Sequence, residues 1–249
     1  FFGMATIYVE ATLAQKTRVV KEDGSILGGP VYYIKTAFKG KFGKFLAGFF
    51  AVAIILALGF MGSMVQSNSI SGAMEEVLDP NKQHILFSIG SYDVTATAVA
   101  VGLVVALVAA FIFLGGIQRI ASVTEKLVPI MAVMFLVGGL LILVFRAQYI
   151  PETVGMIFKY AFTPQAIIGG SFGAALKIAL SQGAKRGLFS NEAGMGSTPH
   201  AHAQANVKRP HDQGVVAMVG VFIDTFVVLT MTALVIISSL YTGDGAIEG

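Results

Sequence analysis

Five stretches of this 249-residue chain are each long and apolar enough to cross a bilayer, and no other feature limits its fold as strongly. A spanning helix needs about 20 mostly apolar residues. The stretches fall at about residues 45–73, 94–114, 127–145, 165–184 and 215–241. Another apolar stretch, residues 1–14, is too short to span alone and reads as the second half of a span. It begins without an initiator methionine or a basic leader, so the chain is expected to be an internal piece of a longer protein. Only 12% of the residues are charged, against roughly 25% in an ordinary globular domain. Mean hydropathy is +0.77. Lipid offers no partners to backbone amides, so apolar runs of this length must be helices. The expected fold class is an all-α polytopic membrane protein. It forms one transmembrane domain over residues 1–249, with about five full spans plus one partial N-terminal span.

The placement of lysine and arginine supports that division. Thirteen of the seventeen fall in alternate loops: Lys16 to Lys44, Arg119 with Lys126, and Lys185, Arg186, Lys208 and Arg209. The positive-inside rule puts those loops in the cytoplasm. The loop from Glu75 to Asp93 then lies outside. Basic residues spread between apolar runs in this way exclude a nucleic-acid partner, which needs a continuous basic face. The partner implied is the lipid bilayer. Residues Glu152 to Phe162 read as a short amphipathic helix at the interface, anchored by Phe158 and Tyr160.

Polar groups at membrane depth are the candidates for chemistry. Gln66 and Asn68 lie in GFMGSMVQSNS, and an unsatisfied amide at depth costs several kcal/mol. Each must meet another helix, a watery cavity or a bound solute, and interhelical hydrogen bonding remains open for both. Gly169, Gly170, Ser171, Phe172 and Gly173 form a small-residue break in the fifth stretch. Such a break either notches a helix for close packing or unwinds it around a solute, with Phe172 as a lid. Lys177 faces a polar cavity or snorkels to the cytoplasm. Glu10 and Asp224 are the clear intramembrane acids. Either suits a cation or proton, but structural pairing is the default, for Asp224 with Lys177 or a serine or threonine.

Three other chemistries fail on spacing. Gly194-Met195-Gly196 lacks the lysine of a phosphate loop. His200 and His202 lack the further ligands of a metal site, and no cysteine is present. No serine sits in the strand-turn-helix setting of a hydrolase nucleophile. Titratable groups are scattered, so no catalytic residue, no cofactor and no enzyme activity are expected. Asn191 and Glu192 read as helix-terminating and capping residues at the cytoplasmic mouth. A passive channel or a non-transporting scaffold remain alternatives on composition.

Five motifs, in order along nearly the whole chain, name a family. They are GMATIYVEATLAQKTR from Gly3, GGPVYYI from Gly28, GFMGSMVQSNSISGA from Gly59, GGIQRIASVTEKLVPIMA from Gly115 and AKRGLFSNEAGMGSTPHAHAQA from Ala184. The chain resembles the alanine or glycine:cation symporters, the sodium:alanine symporter family. The resemblance implies a partial leucine-transporter-type inverted-repeat helical bundle in a bacterial-type inner (plasma) membrane. It implies import of alanine or glycine coupled to sodium as the transported coupling ion, by alternating access. By motif order the chain runs from the family's second helix to its seventh. Gln66 then faces the substrate, Asn68 is a further substrate-binding candidate, and Gly169 to Gly173 is the unwound region of the sixth helix, with Gly170, Ser171, Phe172 and Gly173 as its substrate-binding residues. The family's first helix, with its Gly-Thr-Gly-Asn stretch, and its eighth have no counterpart here. Gly-Ser-Phe-Gly stands where the family pattern is Gly-Phe-Ala-Gly, and His200 where it is aliphatic.

Overall fold

The computed structural model describes residues 2–82, 84–90, 92–162, 181 and 190–241. The described residues are mostly helical. The elements are α1 (Phe2–Thr17), β1 (Val19–Val20), β2 (Ile26–Leu27), α2 (Pro30–Ala37) and α3 (Gly40–Ile54). A π-helical turn (Ile55–Gly62) leads into α4 (Ser63–Leu78), followed by β3 (Ile85–Ile89), β4 (Tyr92–Thr95), α5 (Ala96–Phe113) and α6 (Gly116–Phe145). A short 3-10 turn precedes α7 (Ile150–Phe162). Then come α8 (Thr198–Gln204), α9 (Pro210–Phe222), a second π-helical turn (Ile223–Val228) and α10 (Leu229–Leu240). Four helical segments among the described residues are long and apolar enough to span: Gly40–Leu78, Ala96–Phe113, Gly116–Phe145 and Pro210–Leu240. They account for the expected spans at 45–73, 94–114, 127–145 and 215–241. The expected span at 165–184 lies outside the described residues.

The span boundaries differ from the sequence reading. The third span starts at Ala96 because residues 85–95 form an antiparallel hairpin, with Ile89 paired to Tyr92 across a turn in which Gly90 takes φ 63°. The fourth span starts eleven residues early, at Gly116. Arg119 and Lys126 are therefore on helix, where a loop was expected. No helix breaker stands between Gly116 and Pro129, and IQRIASVTEKL is compatible with helix throughout. A second small hairpin joins Val19–Val20 to Ile26–Leu27, its turn closed by Asp23, whose carboxylate accepts from the Ser25 amide (2.9 Å) and hydroxyl (2.6 Å).

The chain divides into two compact units, residues 1–51 with 133–249 and residues 52–132. In the first, α1 packs along α9 more extensively than any other described pair of elements. Ile7 and Ala11 meet Ala217 and Val221 there, with Met4 and Ala193 at the margin. Two of those four side chains are alanine, and Gly214 brings the backbones closer still: a Cβ there would stand 2.4 Å from Thr12 Oγ1. Close backbone approach through small residues is how helices associate where the hydrophobic effect supplies little. Arg146 fastens the far end of this unit. Its guanidinium donates to the carbonyls of Ser238 (2.8 Å), Ser239 (3.2 Å) and Tyr241 (2.7 Å) and stacks on the Tyr149 ring. A cation at these carbonyls also opposes the negative end of the α10 dipole.

In the second unit α4 packs on α5. Thr95 caps α5 by accepting from the Ala98 amide (3.0 Å), and its hydroxyl donates to the Glu75 carboxylate near the end of α4. α5 is apolar on all sides and has no buried residue. Leu103, Leu107 and Phe111 are all exposed. A helix apolar all round is stable against lipid or deep within a bundle, not in water.

Candidate functional site

Gln66 lies on α4, one turn past the first π-helical stretch. It lines a groove between α4 and α5 with Phe60, Ser63, Met64 and Ser67 on one wall and Gly102, Ala106 and Ala109 on the other. The α5 wall is small along Gly102, Ala106 and Ala109 and bulkier at Val105 and Phe113. The serines along α4 satisfy themselves. Ser63 Oγ donates to the Leu58 carbonyl (3.2 Å), Ser67 Oγ to that of Met64 (3.1 Å) and Ser69 Oγ to that of Val65 (2.9 Å). The carboxamides of Gln66 and Asn68 have no hydrogen-bond partner among the described residues. Asn68 is two positions on, about 200° around the helix at 100° per residue. It does not line the Gln66 groove. Gly170, Ser171, Phe172, Gly173 and Lys177 lie outside the described residues.

The first unit gathers the remaining polar groups around the segment Ser190–Ser197. Glu10, on α1, accepts from the Gly194 amide (3.0 Å). Asn191 Oδ1 accepts from the Ala193 amide (3.0 Å). Glu192 adopts a left-handed conformation (φ 55°), and its carboxylate accepts from the hydroxyls of Ser197 and Thr198. The capping role expected of Asn191 and Glu192 is thus indirect: Glu192 holds the first hydroxyls of α8, not its amides. Gly196 (φ 77°) lies under Pro30 and Phe50, where a Cβ would come within 2.6 Å of the Phe50 ring. Asp224 Oδ2 accepts from Ser190 Oγ (2.7 Å), the serine alternative among its expected partners. Ser190, Asn191, Thr198, His202 and Asp224 line one crevice of about 370 Å³, walled on its apolar side by Ile7, Val216, Ala217 and Val221.

The histidines have separate partners. Gln213 Nε2 donates to His202 Nδ1 (2.6 Å), which leaves the ring proton on Nε2. Burial pushes His202 below its ordinary pKa. Tyr8 Oη is 2.7 Å from His211 Nδ1, and His200 rests against Gly29 (φ 108°). Burial, with the nearby Glu10 charge, raises the Tyr33 phenol above its ordinary range.

One cluster escaped the sequence reading. Gln15 Nε2 donates to the carbonyls of His202 (2.5 Å) and Ala205 (2.9 Å). Arg18 Nη1 donates to those of Ala203 (3.0 Å) and Ala205 (2.6 Å). Gln204 Nε2 in turn reaches the Ile26 carbonyl (2.7 Å) of the first hairpin. These bonds weld the end of α1 to the end of α8. The available signal was polar residues three apart, Gln15 and Arg18, closing an apolar helix.

The whole chain, residues 1–249, matches the sodium:alanine symporter family. Among curated relatives it is 40% identical over 239 residues to the sodium/alanine symporter AgcS of Methanococcus maripaludis, covering 95% of this chain and 48% of that protein. It is 37% identical over 245 residues to the amino-acid carrier protein AlsT of Bacillus subtilis, covering 98% and 48%. An uncharacterised transporter of Haemophilus influenzae is 41% identical over 239 residues, covering 96% and 46%. The chain spans about half the length of each. The family is one of transporters, not enzymes. A chain with four apolar helical spans among its described residues, a family match from its first residue to its last and relatives at this identity belongs to the sodium:alanine symporter family.

Proposed function

We propose that the protein of which this chain is part imports a small neutral amino acid, alanine or glycine, across the plasma membrane, driven by sodium. The family match over all 249 residues carries this reading. A relative named sodium/alanine symporter and one named "putative sodium/proton-dependent alanine carrier protein" support it. Another relative is named a probable sodium/glutamine symporter, so the side chain accepted is set by pocket residues and not by the fold. The fold proposed is a single membrane domain of the inverted-repeat type, with the solute held near mid-membrane where helices are broken. Gly170, Ser171 and Gly173 supply the backbone groups there, Phe172 closes over the small side chain, and Gln66 donates or accepts at its edge. Asn68, turned away from the Gln66 groove, belongs to helix contact on this reading. A small pocket selects by exclusion, because each tolerated methylene is worth only about 1–3 kcal/mol. Sodium raises substrate affinity through a coupling of about 1–3 kcal/mol.

The test is uptake of radiolabelled alanine by the full-length protein in proteoliposomes, with an inward sodium gradient or with potassium in its place. Accumulation above equilibrium in sodium alone is expected. Equilibration that ignores sodium means a passive facilitator and sinks the proposal. Gln66→Ala should raise the half-saturating alanine concentration about tenfold, the equivalent of 1.4 kcal/mol, at normal expression. Unchanged kinetics in that variant remove Gln66 from the site.

A further inference from the structure

We infer that the crevice between Ser190 and Asp224 is a binding site for the monovalent cation that drives transport, with the Asp224 carboxylate as its charged ligand. This rests on the reading of the protein as a cation-coupled carrier. Four observations converge on the place.

Asp224 lies near the midpoint of the helical segment Pro210–Leu240, about 21 Å from its start at 1.5 Å per residue. An ionised carboxylate at that depth is costly unless a cation or several donors offset it. Among the described residues Asp224 has one hydrogen-bond partner, Ser190 Oγ on Oδ2. One neutral hydroxyl offsets only part of the loss of water, and Oδ1 has no such partner among the described residues.

The helix is π-helical at this point, from Ile223 to Val228. A π-turn opens the regular ladder by a residue and occurs disproportionately at functional sites. Nothing in the packing of α9 on α1 calls for the widening, since the buried residues of α9 end at Val221.

The crevice presents the oxygen ligands that a hard cation takes. Besides Asp224 and Ser190, the Thr198 hydroxyl and the Asn191 carboxamide line it. Thr198 donates its proton to Glu192, so its lone pairs remain free to ligate. Asn191 Oδ1 accepts one amide and has a second lone pair. His202 is the other titratable side chain lining the crevice. Its Nδ1 is engaged by Gln213, so it contributes no free ring lone pair.

Finally, the segment that supplies Ser190, Asn191 and Thr198 is bound to α1 through Glu10 and Gly194. Occupancy of the crevice would therefore tie three elements together, α1, the Ser190–Thr198 segment and the α9–α10 helix. A coupling ion must act in this way, favouring one arrangement of helices over another.

Sodium and a proton are both compatible with a carboxylate among hydroxyls, and the experiment separates them. The full-length protein is reconstituted as wild type, Asp224→Asn and Ser190→Ala. Alanine uptake is measured against sodium concentration and against pH. The melting temperature in detergent is measured with sodium and with choline, without substrate. Asp224→Asn should raise the half-saturating sodium concentration about tenfold or more and abolish the sodium-induced rise in Tm. Ser190→Ala should shift both in the same direction by less. If Asp224→Asn changes the pH profile and leaves the sodium response intact, the site stands with a proton as its ion. Should Asp224→Asn fail to reach the membrane, Ser190→Ala and the melting shift decide. Wild-type sodium and pH responses in both variants overturn the assignment. A wild-type protein that accumulates no alanine overturns the carrier reading instead, while a sodium-induced Tm rise that depends on Asp224 would still report the site.

Discussion

Replacing Gly214 by alanine should loosen the contact on which the first unit is built. The helix α9 crosses α1 so closely at this residue that an added Cβ would lie 2.4 Å from Thr12 Oγ1 and 2.8 and 2.9 Å from two carbons of the Tyr8 ring. No Cβ tolerates 2.4 Å, so α1 must retreat or both side chains must turn. Overpacking of this kind costs about 1–3 kcal/mol. Turning Tyr8 also endangers its contact with His211 Nδ1, worth about another 1 kcal/mol. Alanine returns about 1 kcal/mol through its better helix propensity. The net expectation is a loss of about 1–3 kcal/mol, read as a fall in Tm of about 2–4 °C for each kcal/mol.

The same geometry predicts a rescue. Thr12 Oγ1 is buried and has no hydrogen-bond partner among the described residues. Removing it by Thr12→Ala costs a methyl contact and relieves an unsatisfied polar atom, so the single change should be nearly neutral. In the Gly214→Ala background it removes the closest obstacle and should recover at least part of the loss. The double-mutant cycle should show a favourable coupling of about 1 kcal/mol. The assay is the temperature at which half of the full-length protein loses its monodisperse peak in detergent. A Gly214→Ala protein as stable as wild type would refute the close approach. Strict additivity with Thr12→Ala would refute the identity of the obstacle.

Two further outcomes follow from the end of the first unit where α1, α8 and α9 meet. Because burial lowers the pKa of His202, the unfolded chain binds its proton more readily than the folded one. Stability from this residue is complete above about pH 6.5 and falls as pH drops toward the depressed value. Melting curves between pH 5 and 8 should show a decline that His202→Gln reduces, and identical pH dependence in the two proteins would refute it. Arg18→Ala removes two bonds from one guanidinium to the carbonyls of Ala203 and Ala205, with an expected loss of about 2 kcal/mol. Trypsin should then cut faster after exposed Lys208, and an unchanged cleavage rate would show that α8 is held by other contacts.

The spans were legible because lipid leaves the backbone one solution. A run such as ATAVAVGLVVALVAAFIF has neither water nor a neighbouring strand to satisfy its amides, so composition alone decides that it is helix. The same argument is silent wherever water is available. The Ile85–Thr95 hairpin carried its usual signal, β-formers on both sides of a glycine turn, yet sits between two spans where any loop would satisfy the charge alternation. The Gln15 and Arg18 bonds were not legible for a different reason. Their acceptors are backbone carbonyls, which every residue possesses, so no sequence feature names His202, Ala203 and Ala205 as the targets. For Asp224 the chemistry of the partner was legible and its position was not. Any of several hydroxyls would serve, and only the fold brings Ser190, 34 residues away, to 2.7 Å.

The two π-helical turns explain why polar residues at depth could be found from the sequence but not aimed. A helical wheel advances 100° per residue, and that phase holds only while the helix stays α. Each π-turn takes up an extra residue, which offsets every later position by about 100° from the wheel. Gln66 follows the turn at Ile55–Gly62, and Asp224 lies within the one at Ile223–Val228. A wheel drawn through α3 therefore assigns Gln66 to the wrong face, and one drawn through α9 misplaces α10. The relation between Gln66 and Asn68 survives, because both lie beyond the turn on one regular helix, and it sets their side chains about 200° apart. Of the two carboxamides, only Gln66 can therefore face the groove against α5 while Asn68 faces elsewhere. A solute bound in that groove must discriminate sharply between Gln66→Ala and Asn68→Ala, raising its half-saturating concentration in the first and leaving it near wild type in the second.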